Sequence, residues 1–371
     1  MGQVVTKLRG PQSKAPALPL PTVADEVTPE WLSSVLGVEV KSLSRTRELP
    51  GTASKLYVTA VTDKKGEMKL CVKGGFNPEF IKQMPWITMI YQREVEFFNR
   101  IALQLTSMQL PRAWWAGHSP SQGIVVMEDL DARGCQFGNP VEAWPVSRVR
   151  EGVEQLAALH AKTWGVRPAD YPWLTSDYDQ AILTLMENFD VIVRGPDRPT
   201  VQEHLLNQAR VTAALKKHYA SRNPRFRCLL HGDAHVGNTY IDAGSPRFLD
   251  WQMIHIGSAF HDVAYFVGGA LSIEDRRAHE WEILDHYLAT LARLGVKGAA
   301  TNLRISDEEV RTEYRKSFLA GIGWIMCPYE MQPRDCVHAM AVRYAAALDD
   351  HKVLELLESL PEPKTEAAKT S

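Results

Sequence analysis

The chain lacks the features that would mark it as secreted, membrane-spanning or nucleic-acid-binding. Its 371 residues include only five cysteines (Cys71, Cys135, Cys228, Cys327 and Cys336), scattered, odd in number and without a Cys-x-x-Cys pair. That argues against a disulfide framework or a thiolate zinc site and fits a reducing cytosol. An excess of one charge is missing too. The 42 Lys and Arg against 44 Asp and Glu leave a formal charge of −2, no field to hold a polyanion. No apolar run approaches the ~20 residues that span a bilayer, and no signal-peptide core follows the N-terminus. The expectation is a soluble, cytoplasmic protein with no transmembrane segment and no nucleic-acid partner. What is present is ordinary globular composition, 45% hydrophobic and 23% charged, enough for one large two-lobed domain or two smaller ones.

Residues 1–24 read as a flexible arm, with Pro11, Pro16, Pro19 and Pro21 and with Lys7, Arg9 and Lys14 unopposed by acids. The start Met1-Gly2-Gln3-Val4-Val5-Thr6 fits the short N-myristoylation pattern; membrane contact is expected only if Gly2 is acylated. Residues 359–371 read as a disordered polar tail. A helix is expected from Thr28, with Pro29 in its first turn. Strand signals follow at 39–49, 55–62 and 68–74, joined by turn compositions, then a long helical pattern over 85–105 and strands at 112–117 and 123–128. From 147 onward the pattern is mostly helical, apart from a β-like stretch at 228–254. The expected class is α+β, with an N-terminal lobe over 25–130 and a larger, mainly helical lobe over 131–358, a cleft lying between them.

The most informative stretch is Leu230-His231-Gly232-Asp233-Ala234-His235-Val236-Gly237-Asn238, continuing to Phe248-Leu249-Asp250-Trp251-Gln252. Between its halves, Thr239–Ile241 and Arg247–Leu249 flank a turn-like Asp242-Ala243-Gly244-Ser245-Pro246 and read as a hairpin. Such a hairpin folds Asp250 back beside Asn238, giving two hard oxygen donors of the kind Mg²⁺ takes alongside phosphate oxygens. Asp233 is then placed to orient a hydroxyl and accept its proton during phosphoryl transfer.

His-Gly-Asp-x4-Asn followed by Asp-Trp-Gln resembles the aminoglycoside phosphotransferase and choline-kinase-like superfamily, and within it the ecdysteroid-kinase-like branch. These are relatives of protein kinases. Gly232 stands where protein kinases carry Arg and Trp251 where they carry Phe, which points to small-molecule kinases. The resemblance covers roughly residues 40–350. It implies a protein-kinase-like two-lobed fold, ATP and Mg as cofactors, Asp233 as catalytic base, and Asn238 and Asp250 as metal ligands. It also implies that Asp262 braces the catalytic loop, while His231 by itself reads as a structural loop histidine.

The remaining parts occur upstream in order. In the strand at 68–74 Lys73 faces away from Met68, Leu70 and Val72, and Leu70-Cys71-Val72-Lys73 matches the V-A-I-K pattern. In the 85–105 helix Glu94 falls within the apolar stripe Ile87, Ile90, Phe97, Phe98, Ile101 and Leu105, where a carboxylate needs a partner; Lys73 supplies it. Pro50-Gly51-Thr52-Ala53-Ser54 sits where a phosphate-covering loop belongs, with Gly51 and Ser54 as its candidates. Backbone groups of Glu128 to Leu130 are expected at the adenine edge. His160 reads as a satisfied core histidine and Cys71 as a packing residue.

Two other readings stay open. A pseudokinase could bind a nucleotide or a partner without transfer, and a metal-dependent hydrolase could use His231, Asp233 and His235. The hydrolase leaves Lys73, Glu94 and Asn238 unexplained. The acceptor is expected to be a small hydroxylated molecule, with a lipophilic metabolite favoured by the resemblance alone. The stretches 165–227 and 270–345 are expected to line its pocket, where Trp324 and Tyr329 suit a hydrophobic or a cationic group equally.

Overall fold

A computed structural model of the chain describes residues 18–174, 178–296 and 302–361. Gly2 and most of the expected arm and tail lie outside them. The chain forms two compact units, one running to Gln136 and adding Leu249–Ile254, the other holding Phe137–Phe248 and the chain from His255.

Unit 1 begins with α1 (Pro29–Leu36), whose start is fixed by Thr28: its hydroxyl accepts the Trp31 N–H at 3.2 Å, and Pro29 needs no partner there. Gly37 ends it at φ 64°. Five strands follow, β1 (Val40–Leu49), β2 (Ser54–Thr62), β3 (Gly66–Gly74), β4 (Ala113–Ser119) and β5 (Gln122–Glu128), in the order β1-β2-β3-β5-β4 and all antiparallel. Period-two alternation sends Leu56, Val58, Leu70, Val72, Ile124 and Val126 to one face, where they join Trp31, Leu32 and Val35 in a core. The other face therefore carries Lys55, Tyr57, Cys71 and Lys73.

The helix expected over 85–105 is broken up. α2 (Pro78–Gln83) stops at Met84, which leaves the helical region at φ −129°, ψ 73° because the proline after it disfavours helix there, and α3 (Thr88–Glu96) starts beyond the turn at Pro85. At Phe97–Ile101 the helix widens to i→i+5 bonding. The widened turn lets the adjacent Phe97 and Phe98 both point inward, and Phe97 stacks on Trp251 at 3.9 Å, nearly parallel. Burying two such rings contributes about 3–6 kcal/mol before entropy. The stripe inferred from sequence is buried throughout, Glu94 included.

Two boundaries differ from the sequence reading. The first lobe ends at Gln136 rather than 130, and Leu249–Ile254 groups with unit 1, because Trp251 stacks on Phe97 and Asp250 pairs with Lys73. The expected arm is also docked over its last residues. Pro21 is buried and its carbonyl accepts from Gln122, whose amide also bonds both backbone groups of Gly75.

The chain leaves unit 1 through a two-residue strand, β6 (Gln136–Phe137). The helices of unit 2 are α4 (Val146–Thr163), α5 (Tyr178–Leu185), α6 (Phe189–Val193), α7 (Gln208–Ala220), α8 (Ala259–Ala270), α9 (Ile273–Arg293), α10 (Glu308–Ser317), α11 (Ile322–Ile325), α12 (Arg334–Asp350) and α13 (Val353–Ser359). Every residue of α8 is buried, as an all-round apolar helix requires, with α4, α10 and α12 against it. Two short strand pairs frame the central motif. β7 (Arg227–Leu230) pairs with β10 (His255–Ser258), and β8 (Thr239–Asp242) forms the expected hairpin with β9 (Ser245–Phe248). Its turn places Ala243 and Gly244 at φ 49° and 87°, the twist a two-residue hairpin needs. No helix among the described residues is long and apolar enough to cross a membrane.

Candidate active site

Within unit 1, β3 and α3 bring Lys73 and Glu94 together. The Lys73 Nζ lies 2.8 Å from Glu94 Oε2 and 2.9 Å from Asp250 Oδ1. Lys73 and Glu94 are buried, whereas the Asp250 side chain is 22% exposed. Burial opposes the lysine charge, but the carboxylates of Asp250 and Glu94 outweigh it and hold the ammonium above its ordinary range. Burial pushes Glu94 upward more than Lys73 pulls it down, with the Asp250 charge adding to the rise. One ammonium thus serves two carboxylates, and the cluster keeps an excess negative charge. Asp250 also sits at φ 66°, ψ 77°, a left-handed conformation costing about 1–3 kcal/mol that no sequence signal announced. The Trp251 N–H donates to Glu94 Oε1 at 3.3 Å.

The loop between β1 and β2 leaves Gly51 exposed and buries Ser54. It is tied down by the Tyr91 hydroxyl, which donates to the Thr52 carbonyl. At the end of β5 the Glu128 N–H donates to the Arg112 carbonyl, while its carboxylate accepts from the Arg112 N–H and Arg133. The Leu130 carbonyl accepts from Cys135. Among the described residues the Leu130 N–H has no hydrogen-bond partner. Burial pushes the Cys71 thiol up to about 12, so it is an inert packing group.

In unit 2 the motif loop is organised by Asp262, on the first turn of α8. Its carboxylate accepts from the His231 N–H at 2.6 Å, the Gly232 N–H at 3.0 Å and His160 Nε2 at 3.1 Å. Burial opposes that charge, but the His160 hydrogen bond and the nearby histidines hold the group far below the usual carboxylate range. His160 is fixed in turn by the Tyr287 hydroxyl at 2.7 Å. Gly232 bends at φ 84°, which side chains rarely adopt, and this accounts for a glycine in the motif.

Asp233 follows that bend, its side chain 35% exposed. Its Oδ1 accepts from the Tyr265 hydroxyl at 3.1 Å and its Oδ2 from Asn238 Nδ2 at 2.9 Å. Asn238 Nδ2 also donates to the Asp233 carbonyl at 3.0 Å, so both amide protons go to oxygens that only accept. That fixes the amide orientation and turns Asn238 Oδ1 away from Asp233. Trp324 Nε1 donates to the Tyr265 hydroxyl at 2.8 Å. Trp324 is therefore a buried support, and Tyr329 bonds the Asp197 carbonyl and His338.

The histidines of the hydrolase alternative are occupied otherwise. His231 Nδ1 accepts the Asp233 N–H and His235 Nδ1 accepts the Gly237 N–H, using lone pairs a metal would need. Among the described residues no three His, Cys, Asp or Glu side chains converge on one point. Unit 2 also contains a cavity of about 250 Å³, lined by Leu174, Asp179, Arg222, Arg227, His255 and Ser258 among others. It draws on the 165–227 stretch expected at an acceptor pocket and not on 270–345. Sequence reasoning missed the support from Tyr265 and Trp324; the one available signal was that Tyr265 lies three residues after Asp262, on the same face of α8.

A family model described as ecdysteroid kinase-like matches residues 53–297. An uncharacterized kinase-like protein of Caenorhabditis elegans is 23% identical over 290 residues, covering 74% of this chain and 75% of that protein. An ethanolamine kinase of Plasmodium vivax superposes with a TM-score of 0.50 at 12% identity, over 85% of this chain and 86% of that one, and so shares the fold.

Proposed function

Because the chain belongs to the ecdysteroid kinase-like family, we propose that it is an ATP-dependent phosphotransferase acting on a hydroxyl of a small-molecule metabolite. The observation that carries this reading is Lys73 clasped between Glu94 and Asp250. A lysine buried at that cost, beside a partly exposed carboxylate in excess, suits a site that receives phosphates together with a divalent cation.

The residues fit such a group. Asp250 offers a carboxylate oxygen and Asn238 an amide oxygen held outward by its own hydrogen bonds, both hard donors of the kind magnesium takes. Asn238 directly precedes β8 and Asp250 follows β9 by two residues, and the strands between them pair Thr239 with Phe248. Bound Mg·ATP supplies the γ-phosphoryl group and the charge that draws electrons from its phosphorus. Lys73 holds the α/β-phosphates, and Glu94 holds Lys73. Gly51 and Ser54 border the phosphates, while the Leu130 N–H and the Glu128 backbone meet the adenine edge. Asp233 takes the proton of the acceptor hydroxyl as its oxygen bonds to the γ-phosphorus and the bridging oxygen departs with ADP. Asp262 and His231 keep the loop in shape.

The test is thermal shift of the purified protein with ATP and Mg²⁺, separately and together, beside Asp250→Ala. The reading expects a metal-dependent upward shift that the variant loses, and Asp233→Ala should keep the shift while abolishing transfer. No shift of the wild type at millimolar ATP, or wild-type turnover by Asp233→Ala, would overturn it.

A further inference from the structure

The sheet face that carries Lys73 carries a second lysine. In the β2–β3 register Lys55 lies directly opposite Lys73, and directly opposed residues of an antiparallel pair share a face with Cβ atoms about 5 Å apart. The alternation agrees, because Leu56 and Val58 turn into the core on the far side. Cys71, two residues before Lys73 on the same face of β3 and opposite Tyr57, feels the charge of both ammonium groups.

The two lysines differ in what they touch. Lys73 is buried and engaged by Glu94 and Asp250. Lys55 is half-buried, and among the described residues its ammonium has no ion-pair or hydrogen-bond partner. It also stands at the first residues of β2, just after Gly51–Ser54, at the end of the sheet where the loop turns.

We propose that Lys55 is a second phosphate-binding lysine, contacting the polyphosphate of the bound nucleoside triphosphate beside Lys73. The inference rests on the nucleotide reading above. Charge balance favours it. Lys73 with its two carboxylates presents one net negative charge, which repels a polyphosphate, and the Lys55 ammonium opposite Lys73 offsets that charge. A lysine with a flexible stem and three donors reaches a phosphate as a point charge without a fixed approach. Its half-buried stem limits screening by salt relative to a fully exposed lysine.

The experiment is calorimetric titration of the full chain, wild type, Lys55→Met and Lys55→Arg, with Mg·ATP and with adenosine. Lys55→Met should weaken Mg·ATP about tenfold, the scale of one charge-assisted contact. Adenosine affinity should stay within about twofold, and Lys55→Arg should recover most of the Mg·ATP loss. The adenosine arm reports that the variant is folded and that the effect is confined to phosphates. Wild-type binding of Mg·ATP with Lys55→Met unchanged, or an equal loss for adenosine, overturns this inference and leaves the proposed function standing. A wild type that ignores Mg·ATP overturns both.

Discussion

Replacing Lys73 by methionine probes the buried cluster most directly. The substitution keeps the volume of the stem and removes the cation that pairs with Glu94, which retains the 3.3 Å hydrogen bond from the Trp251 N–H. Asp250 is 22% exposed and can turn to water; Glu94 is buried and cannot. Breaking a buried pair from one side costs about 3–5 kcal/mol. At roughly 2–4 °C per kcal/mol for a unit of this size, the melting temperature should fall by at least about 6–12 °C. Adding Glu94→Gln should recover most of that, because the amide still accepts from Trp251 and can donate to Asp250. The pH dependence has a definite sign. Without Lys73 the burial that already raises Glu94 acts unopposed, so the folded state holds its proton where the unfolded state has released it. Stability then falls as pH rises above the ordinary glutamate range. The deficit of Lys73→Met should be small near pH 4.5, grow toward pH 8, and be flat in the double variant. Thermal melts by circular dichroism across that range are the assay. A single variant as stable as the double one at pH 8, or a deficit that shrinks with rising pH, would show that Glu94 is not left as an uncompensated buried charge.

Two further substitutions test unit 2. Asp262 lies below the usual carboxylate range when folded, so its contribution is present above the unfolded value and lost on acidification. Urea unfolding of the wild type should therefore show stability dropping below about pH 4, with a shallower slope in Asp262→Asn; equal slopes would count against the assignment. Tyr265→Phe removes one donor from Asp233 and none from the proposed nucleotide groups. It should lower ATP turnover roughly five- to tenfold while leaving the KM for ATP unchanged, and a matching rise in KM would assign Tyr265 to binding instead.

Much of this arrangement was legible because it rests on short-range periodicity. Strand alternation put Lys73 opposite Leu70 and Val72, helical spacing put Glu94 in an apolar stripe, and the hairpin between Asn238 and Asp250 was written in its turn residues. What escaped depends on tertiary geometry. The left-handed bend at Asp250 is imposed by neighbours, Trp251 on Phe97 and Lys73 on the carboxylate, and an aspartate carries no mark of it. The widened turn at Phe97 reflects what the core accepts from two adjacent aromatics. The docking of Pro21 depends on Gln122, a residue 101 positions away whose role only the folded chain reveals.

Donor chemistry dictates the support of Asp233. An indole N–H can only donate, so the Tyr265 oxygen accepts from Trp324, and the single phenolic proton is left for Asp233 Oδ1. A carbonyl can only accept, so the Asn238 amide turns its NH₂ to the Asp233 carbonyl and Oδ2 and its oxygen outward. Each carboxylate oxygen thus accepts a hydrogen bond from a residue whose own direction is forced, one on α8 and one five residues along the same loop. Two such donors fix the carboxylate plane. The same constraint that orients Asp233 turns Asn238 Oδ1 outward, so the placing of the proposed base and the presentation of the proposed cation ligand are one structural event.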